Sequence, residues 1–538
     1  MAHLLLLGSF IVVVFVVYQL TAQWKLQRRL PPGPKPLPII GNLLDLPPKE
    51  IPGYQYWIKH KDLYGPISSL TVLGQTTVFL HDAEAAQHLL GKKALQSSGR
   101  PEFEFSSHFC GLGELHSNQQ YTPRWRHDRK TIHKLMGTKA LSGQFNPDQV
   151  GEARRLLVRT LNKTEDLFEH FRFQASSTIL KVIYGYSVEP FKPDPLVMVS
   201  ERLAKGIVDS IVPLTWAVDN FPFLKYLPRK FPGMSWRKRA QQINDETHEA
   251  INVPYSFVRN QMAIGKHRPS YVSRLVEGLS QDSNLRAEEE TSIKWTAGTM
   301  FSASSESTVS TLQSFVLAMV MFPEVQRKAQ NELDCVVGTD RLPEITDRDN
   351  LPYIKALVSE THRWHPIAPT GLPHIMAQDE FYNGYLIPKG AQICPAVWWF
   401  MHDPSVYTDP ATFNPERFLD PHNEPDPRQH IFGYGRRTCP GHHFADDQIF
   451  LSIAHLLATF SFNKATDDLG REIDVKLEST TGLVTHPAPF QYKAMLRGAK
   501  QEELIRNIEK QHSWEESDAE RLGNCKFDDY KDNMISVC

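Results

Sequence analysis

Cys439 stands in the run Phe432-Gly433-Tyr434-Gly435-Arg436-Arg437-Thr438-Cys439-Pro440-Gly441, and the residues around it suit a thiolate bound to a haem iron. A sulfur ligand pushes electron density onto iron and favours O–O cleavage. A helix starting just after Cys439 would set its positive end near the sulfur and depress the thiol pKa. Gly435 and Gly441 let backbone approach a flat macrocycle where a Cβ would collide. Phe432 can screen the sulfur from water, and Arg437 can bind a propionate through its fork of donors. A lone intracellular cysteine is ordinarily a buried small hydrophobe. At this composition, however, a chance match of Phe-x-x-Gly-x-Arg-x-Cys-x-Gly is on the order of one in ten thousand. The ligand reading prevails.

Further residues of the same kind follow a fixed order. Glu360-Thr361-His362-Arg363 puts an acid and a base on one helical face at i, i+3. Pro415-Glu416-Arg417-Phe418 lies between that pair and Cys439. Trp125 and Arg129, four apart, also share a face. The whole set resembles the cytochrome P-450 family from about residue 31 to 490. The resemblance implies a structural triad of Glu360, Arg363 and Arg417 beneath a haem b (heme) group ligated by Cys439. It implies that Trp125, Arg129 and Arg437 serve the propionates. It also places His374, in Gly371-Leu372-Pro373-His374, where a propionate donor stands on a strand, against the reading of an ordinary strand histidine.

One place departs from the family. Its members carry Ala/Gly-Gly-x-Asp/Glu-Thr in the middle of the long helix, and here Ala303-Ser304-Ser305-Glu306-Ser307-Thr308 aligns with it. The acid survives as Glu306, the glycine is Ser304, and the alcohol position is Ser307. Ser307 offers the same hydroxyl as threonine without the methyl that fixes its rotamer. The alternative is that this polar run bonds back to its own helix. Glu306 and Ser307 are the expected proton relay.

The elements that must carry these residues are mostly helical. Short β-like pieces are expected at 67–72 and 76–80. Helices are expected at 147–161 with Asn146 as N-cap, at 175–184, at 237–263 with a kink or break at Pro254, and at 287–322, stopping at Pro323. The stretch 403–427 holds six prolines and should wrap irregularly before the cysteine run. The expected fold class is mainly α with small β-sheets (α+β), and the resemblance implies a single cytochrome P-450 body.

The chain ends differ from this body. Residues 2–22 form an apolar run of about 30 Å as a helix, followed by Lys25, Arg28 and Arg29. Positive charge behind the run marks an anchor, not a cleaved signal, and keeps the body cytosolic. Residues 1–29 are therefore expected to be a transmembrane anchor with its basic flank. Residues 30–498 are the catalytic domain, entered through Pro31-Pro32-Gly33-Pro34-Lys35-Pro36-Leu37-Pro38 as a stiff, extended spacer. Residues 499–538 are expected to be a charged, peripheral extension. Lys and Arg total 59 against 61 Asp and Glu, so nothing points to nucleic acid. Six cysteines without a CxxC pair form neither a disulfide framework nor a zinc site.

The resemblance implies a monooxygenase that uses O2 and electrons from an NADPH-cytochrome reductase on a lipophilic small molecule. It further suggests filamentous-fungal secondary metabolism and a single-pass place in the endoplasmic reticulum membrane. A haem-thiolate isomerase or dehydratase, and a haem sensor without turnover, are the competing readings. Dependence on reductase separates them.

Overall fold

The computed structural model describes residues 26–212, 214–511 and 514–524. The expected anchor at 2–22 lies outside them. Two compact units emerge: a smaller one from the chain up to Pro101 with Ala368–Phe400 and Gly433–Thr438, and a larger one from Glu102–Ile367, Met401–Phe432 and the chain from Cys439 on.

In the smaller unit, β1 (Ile67–Val72) and β2 (Gln75–Leu80) pair antiparallel, with Val72 opposite Gln75. Leu73 and Gly74 both take positive φ, 49° and 86°, the backbone that a two-residue hairpin turn requires. β3 (His374–Ile375), β4 (Glu380–Tyr382), β5 (Tyr385–Ile387) and β6 (Gln392–Pro395) follow. The sheet order is β1-β2-β6-β3, and β4 pairs only with β5. Asn383-Gly384 turns that second hairpin, again with both φ positive. Trp57, Leu70, Phe79 and Cys394 form the apolar core.

The proline-rich arm is not a free spacer at its start. Ser69 N–H donates to Pro32 O at 2.9 Å, and Ser69 Oγ donates to Pro31 O at 2.6 Å. A Cβ on Gly33 would fall 1.8 Å from Ser69 O, so only glycine lets the arm lie this close to β1. Asn42 Nδ2 holds Pro34 O at 3.0 Å.

The larger unit is helical: α1 (Pro123–Met136), α2 (Asn146–Asn162), α3 (Leu167–Tyr184), α4 (Pro195–Ser210), α5 (Trp236–Ala263), α6 (Ser283–Met321), α7 (Pro323–Val336), α8 (Pro352–Trp364), α9 (His442–Thr459) and α10 (Ala499–Gln511). A two-stranded sheet of β7 (Phe460–Lys464) and β8 (Tyr492–Leu496) completes it. Helix α6 begins at Asp282, whose carboxylate caps Asn284 and Leu285 N–H, and stops before Pro323 opens α7. Val309, Leu312, Phe315, Val316 and Leu317 leave no exposed face on its second half, as in a helix at the centre of a core. Among the described residues no single helix is long and apolar enough to cross a membrane.

Three expectations change here. Asn146 is the first helical residue of α2, not its side-chain cap, and Phe145 precedes it without a capping bond. Helix α5 runs on through Pro254. One ladder bond is lost there, but buried Ala250, Ile251, Phe257 and Val258 hold the helix on both sides. The extension after 498 is not merely peripheral. Ile505 on α10 is buried, and Asp518 is fully buried, where it accepts from Ser187 N–H at 2.9 Å and pairs with Arg268 and Arg521.

Candidate functional site

Cys439 is fixed by backbone before any cofactor is considered. Its N–H donates to Phe432 O at 2.8 Å, and its carbonyl accepts from His442 Nδ1 at 2.8 Å. Gly441 N–H points at the sulfur, and α9 starts at the next residue. The expected depression of the thiol pKa is outweighed. Burial pushes the thiol up, while the Gly441 N–H and the Arg129 guanidinium pull it only partly back. Metal ligation removes such a proton outright. Phe432 packs edge-on near His362, with centroids 5.7 Å apart, and lies 5.8 Å from the His442 ring.

Helix α1 brings two further residues. Thr122 caps it through Trp125 N–H, and Pro123 opens it. The buried Trp125 ring stacks on His116 at 4.9 Å, and its indole N–H donates to His116 O at 3.2 Å. Arg129, one turn on, feels the Cys439 sulfur, and burial lowers its pKa from the usual arginine range. Asp128 ties α1 to α6 by accepting from Ser292 Oγ at 2.6 Å.

Glu360, Arg363 and Arg417 come together, all buried. Arg363 forks onto Glu360 with bonds of 2.7 and 2.9 Å, and Arg417 Nε reaches Glu360 Oε1 at 3.1 Å. Asn414 N–H adds a fourth donor at 2.8 Å. A residue missed in the sequence, Glu424, takes Arg417 Nη1 at 2.6 Å. Nothing in its turn-rich surroundings signals that partnership.

In the smaller unit, His374 Nδ1–H donates to Ser97 O at 2.7 Å, and burial holds the imidazole well below its ordinary pKa, hence neutral. Arg437 Nε donates to Ser98 O at 2.9 Å. Arg100, also missed in the sequence, donates to Leu372 O and Pro373 O at 2.9 and 2.7 Å, and burial lowers it to about 10. Gly435, at φ +54°, has a nearer reason to be glycine than an approaching macrocycle: a Cβ would lie 2.5 Å from Leu90 O and 2.8 Å from Ala94 Cβ.

On α6, Ser307 Oγ donates to Ala303 O at 3.0 Å, Ser304 Oγ to Phe301 O at 3.3 Å, and Thr308 Oγ1 to Ser304 O at 2.9 Å. The hydroxyls therefore do bond back to their helix. Glu306 does not. Its Oε2 meets His486 Nε2 at 3.2 Å, and that hydrogen bond holds the carboxyl below its usual range against the opposing effect of burial.

These residues fit a haem. Among the described residues no group of three or more His, Cys, Asp and Glu side chains is placed to hold a metal ion. A Cβ on Gly441 would meet no protein atom within 4 Å. Ala303 is exposed on a helix whose neighbours Phe301, Ser305 and Thr308 are buried. Bare surface at both places suits a flat apolar group, and the Arg129 guanidinium near the sulfur suits a carboxylate of that group.

A sequence model of the cytochrome P450 family matches residues 31–494. The chain is similar to the multifunctional cytochrome P450 monooxygenase af510 of Aspergillus fumigatus, 44% identical over 96% of this chain and 97% of that one. It is 46% identical to the cytochrome P450 monooxygenase CLM2 of Gibberella zeae, over 95% and 98%. It is 38% identical to an O-methylsterigmatocystin oxidoreductase of Aspergillus flavus, over 94% and 95%. With a buried thiol on the amide of Gly441 and this likeness over nearly its whole length, the chain belongs to the cytochrome P450 family and is a haem-thiolate monooxygenase.

Proposed function

We propose that the chain inserts one oxygen atom into a lipophilic small molecule of fungal secondary metabolism, at the endoplasmic reticulum membrane, with the body on the cytosolic side. The overall chemistry is R–H + O2 + NADPH + H+ giving R–OH + H2O + NADP+, with a reductase passing the two electrons. The observation that carries the substrate class is the full-length likeness to fungal monooxygenases, one of them named for the oxidation of O-methylsterigmatocystin. Haem held by Cys439 supplies oxygen activation, its thiolate favouring O–O cleavage. Trp125 and Arg129, in the same unit as Cys439, are the residues to hold its carboxylates and edge. Glu360, Arg363 and Arg417 brace the segment leading to Cys439.

The remaining work is proton delivery, assigned to Glu306 with Ser307. Ser307 must turn from Ala303 O to act, and its lack of a γ-methyl leaves that rotation open. In Glu306→Gln, turnover should slow about a hundredfold while substrate binding holds, the lower end of the range for loss of a general acid. Ser307→Ala should lower product per NADPH about fivefold, the worth of one hydrogen bond, and raise peroxide. Stopped-flow NADPH consumption with peroxide assay checks both. Unchanged coupling in both variants removes the pair from the mechanism.

Feeding candidate pathway intermediates to a host that makes the chain and its reductase tests the substrate class. A product one oxygen heavier, formed only with reductase, is expected. Rearranged product without reductase would sink the proposal in favour of an isomerase. Deleting residues 1–29 should shift the protein largely from the membrane pellet to the supernatant with haem content kept. Loss of haem with the deletion would make that segment part of the fold and not an anchor.

A further inference from the structure

Glu306 is served by a partner that the family pattern does not include. The segment around 480–486 lies along α6 and touches it at one face. Glu306 meets His486, Ser310 Oγ donates to Thr485 O at 2.6 Å, and Gln313 Oε1 stands 3.1 Å from His486 Nδ1. Positions 306, 310 and 313 fall at i, i+4 and i+7, within about 40° of one line along the helix. Backbone clamps His486: its N–H donates to Thr480 Oγ1 at 2.9 Å, and its carbonyl accepts from Thr480 N–H at 2.8 Å.

The imidazole thus has an oxygen at each nitrogen. Only an imidazolium donates from both. The Gln313 amide, buried on α6, can turn its NH2 toward Nδ1 and so satisfy the neutral ring equally well. Glutamine here is indifferent to the charge of histidine, and the ring gains or loses a proton without stranding a polar atom. Other charged groups near Glu306 do not offer this. Arg172 on α3 acts only through its field and is paired to Glu169 at 2.5 Å. His365 bonds Ser314 and Ser479, and burial drops its pKa to about 4, so it stays neutral.

We propose that His486 is the positioning residue of proton delivery, reloading Glu306 while Gln313 accommodates both charge states of the ring. This rests on the assignment of Glu306 above. In each reload the Nε2–H bond breaks and the proton passes to Glu306 Oε2, leaving a neutral ring and a carboxylic acid. The Gln313 amide turns from acceptor to donor, and a solvent proton restores the imidazolium after Glu306 has given its own away. Two such events match the two electrons of one turnover.

The test uses the full-length, haem-loaded enzyme with its reductase. Wild type should lose product per NADPH as pH rises, because a neutral ring has no proton to pass to Glu306. His486→Gln keeps a donor for the carboxylate but cannot carry the proton. Its profile should be flat and, at the acid end, about threefold or more below wild type, with KM little changed. A profile with the wild-type slope overturns the proposal. If that variant takes up no haem, Gln313→Leu strands Nδ1 and should flatten the profile likewise, and a retained slope is again fatal. A readout without turnover is the infrared carboxylate band assigned by Glu306→Gln. In His486→Ala its midpoint should move to higher pH, because burial then acts with only Arg172 against it. An unmoved midpoint also overturns the proposal. Full coupling in Glu306→Gln would instead remove Glu306 itself, whereas an uncoupled Glu306→Gln beside a wild-type His486→Gln removes His486 alone.

Discussion

Cys439→Ser is expected to abolish the thiolate-type absorption of the ferrous carbon monoxide complex and, with it, all detectable oxygenation. The backbone that holds position 439 would survive the exchange, because its bonds to Phe432 O and His442 involve main-chain atoms. A hydroxyl or water in place of sulfur keeps the geometry and loses the electron push that favours O–O cleavage. The size of the effect is the whole catalysed rate, and the spectrum separates it from misfolding. A protein that binds haem but shows a shifted, weakly pushed complex is the expected outcome. Retention of the original spectrum would move the ligand elsewhere.

Glu360→Ala should be the most damaging change away from the sulfur. Four donors converge on that carboxylate, and both arginines are buried. Removing one partner of a buried ion pair costs about 3–5 kcal/mol, because the other charge stays buried without compensation. Arg363 loses its fork and keeps only the carbonyls of Met401 and Thr412. Arg417→Ala should be milder, since Glu360 then retains the Arg363 fork, and Glu424 lies nearer solvent. Urea denaturation midpoints and haem per protein, compared across the two variants, check the order. Equal losses would mean that the carboxylate is not the centre of the network.

Local chemistry explains what could be read in advance. The strands at 67–72 and 76–80 are legible because β-rich runs act over a few positions. Helix α6 starts four residues earlier than the apolar pattern indicates, because its first turn is polar and its cap is a single aspartate. What no local pattern carries is partnership at a distance. His486 meets Glu306, and Arg100 reaches carbonyls 272 and 273 residues away. Such pairs are set by packing alone. A further reason for glycine at 435 is hidden in the same way, because the atoms that forbid a Cβ there belong to Leu90 and Ala94. The Gly441 amide pulls the Cys439 thiol down as its place before a helix suggests, and burial, which a sequence does not display, outweighs that pull.

The docking of Asp518 has a consequence for biosynthesis. Its bonds to Arg268 and to the amide of Ser187 close loops of 250 and 331 residues, and Glu515 joins Lys181 and Ser187 across similar spans. Translation proceeds at about 5–20 residues per second, and contacts of such separation cannot form until both ends have been made. The bonds of Ser187 and Arg268 to Asp518, just past the ends of α3 and α5, must therefore wait until residue 518 has been made. A nascent chain stalled short of residue 515 already holds Cys439 and Glu306 and still lacks the bonds that tie Lys181, Ser187 and Arg268 to the C-terminal segment.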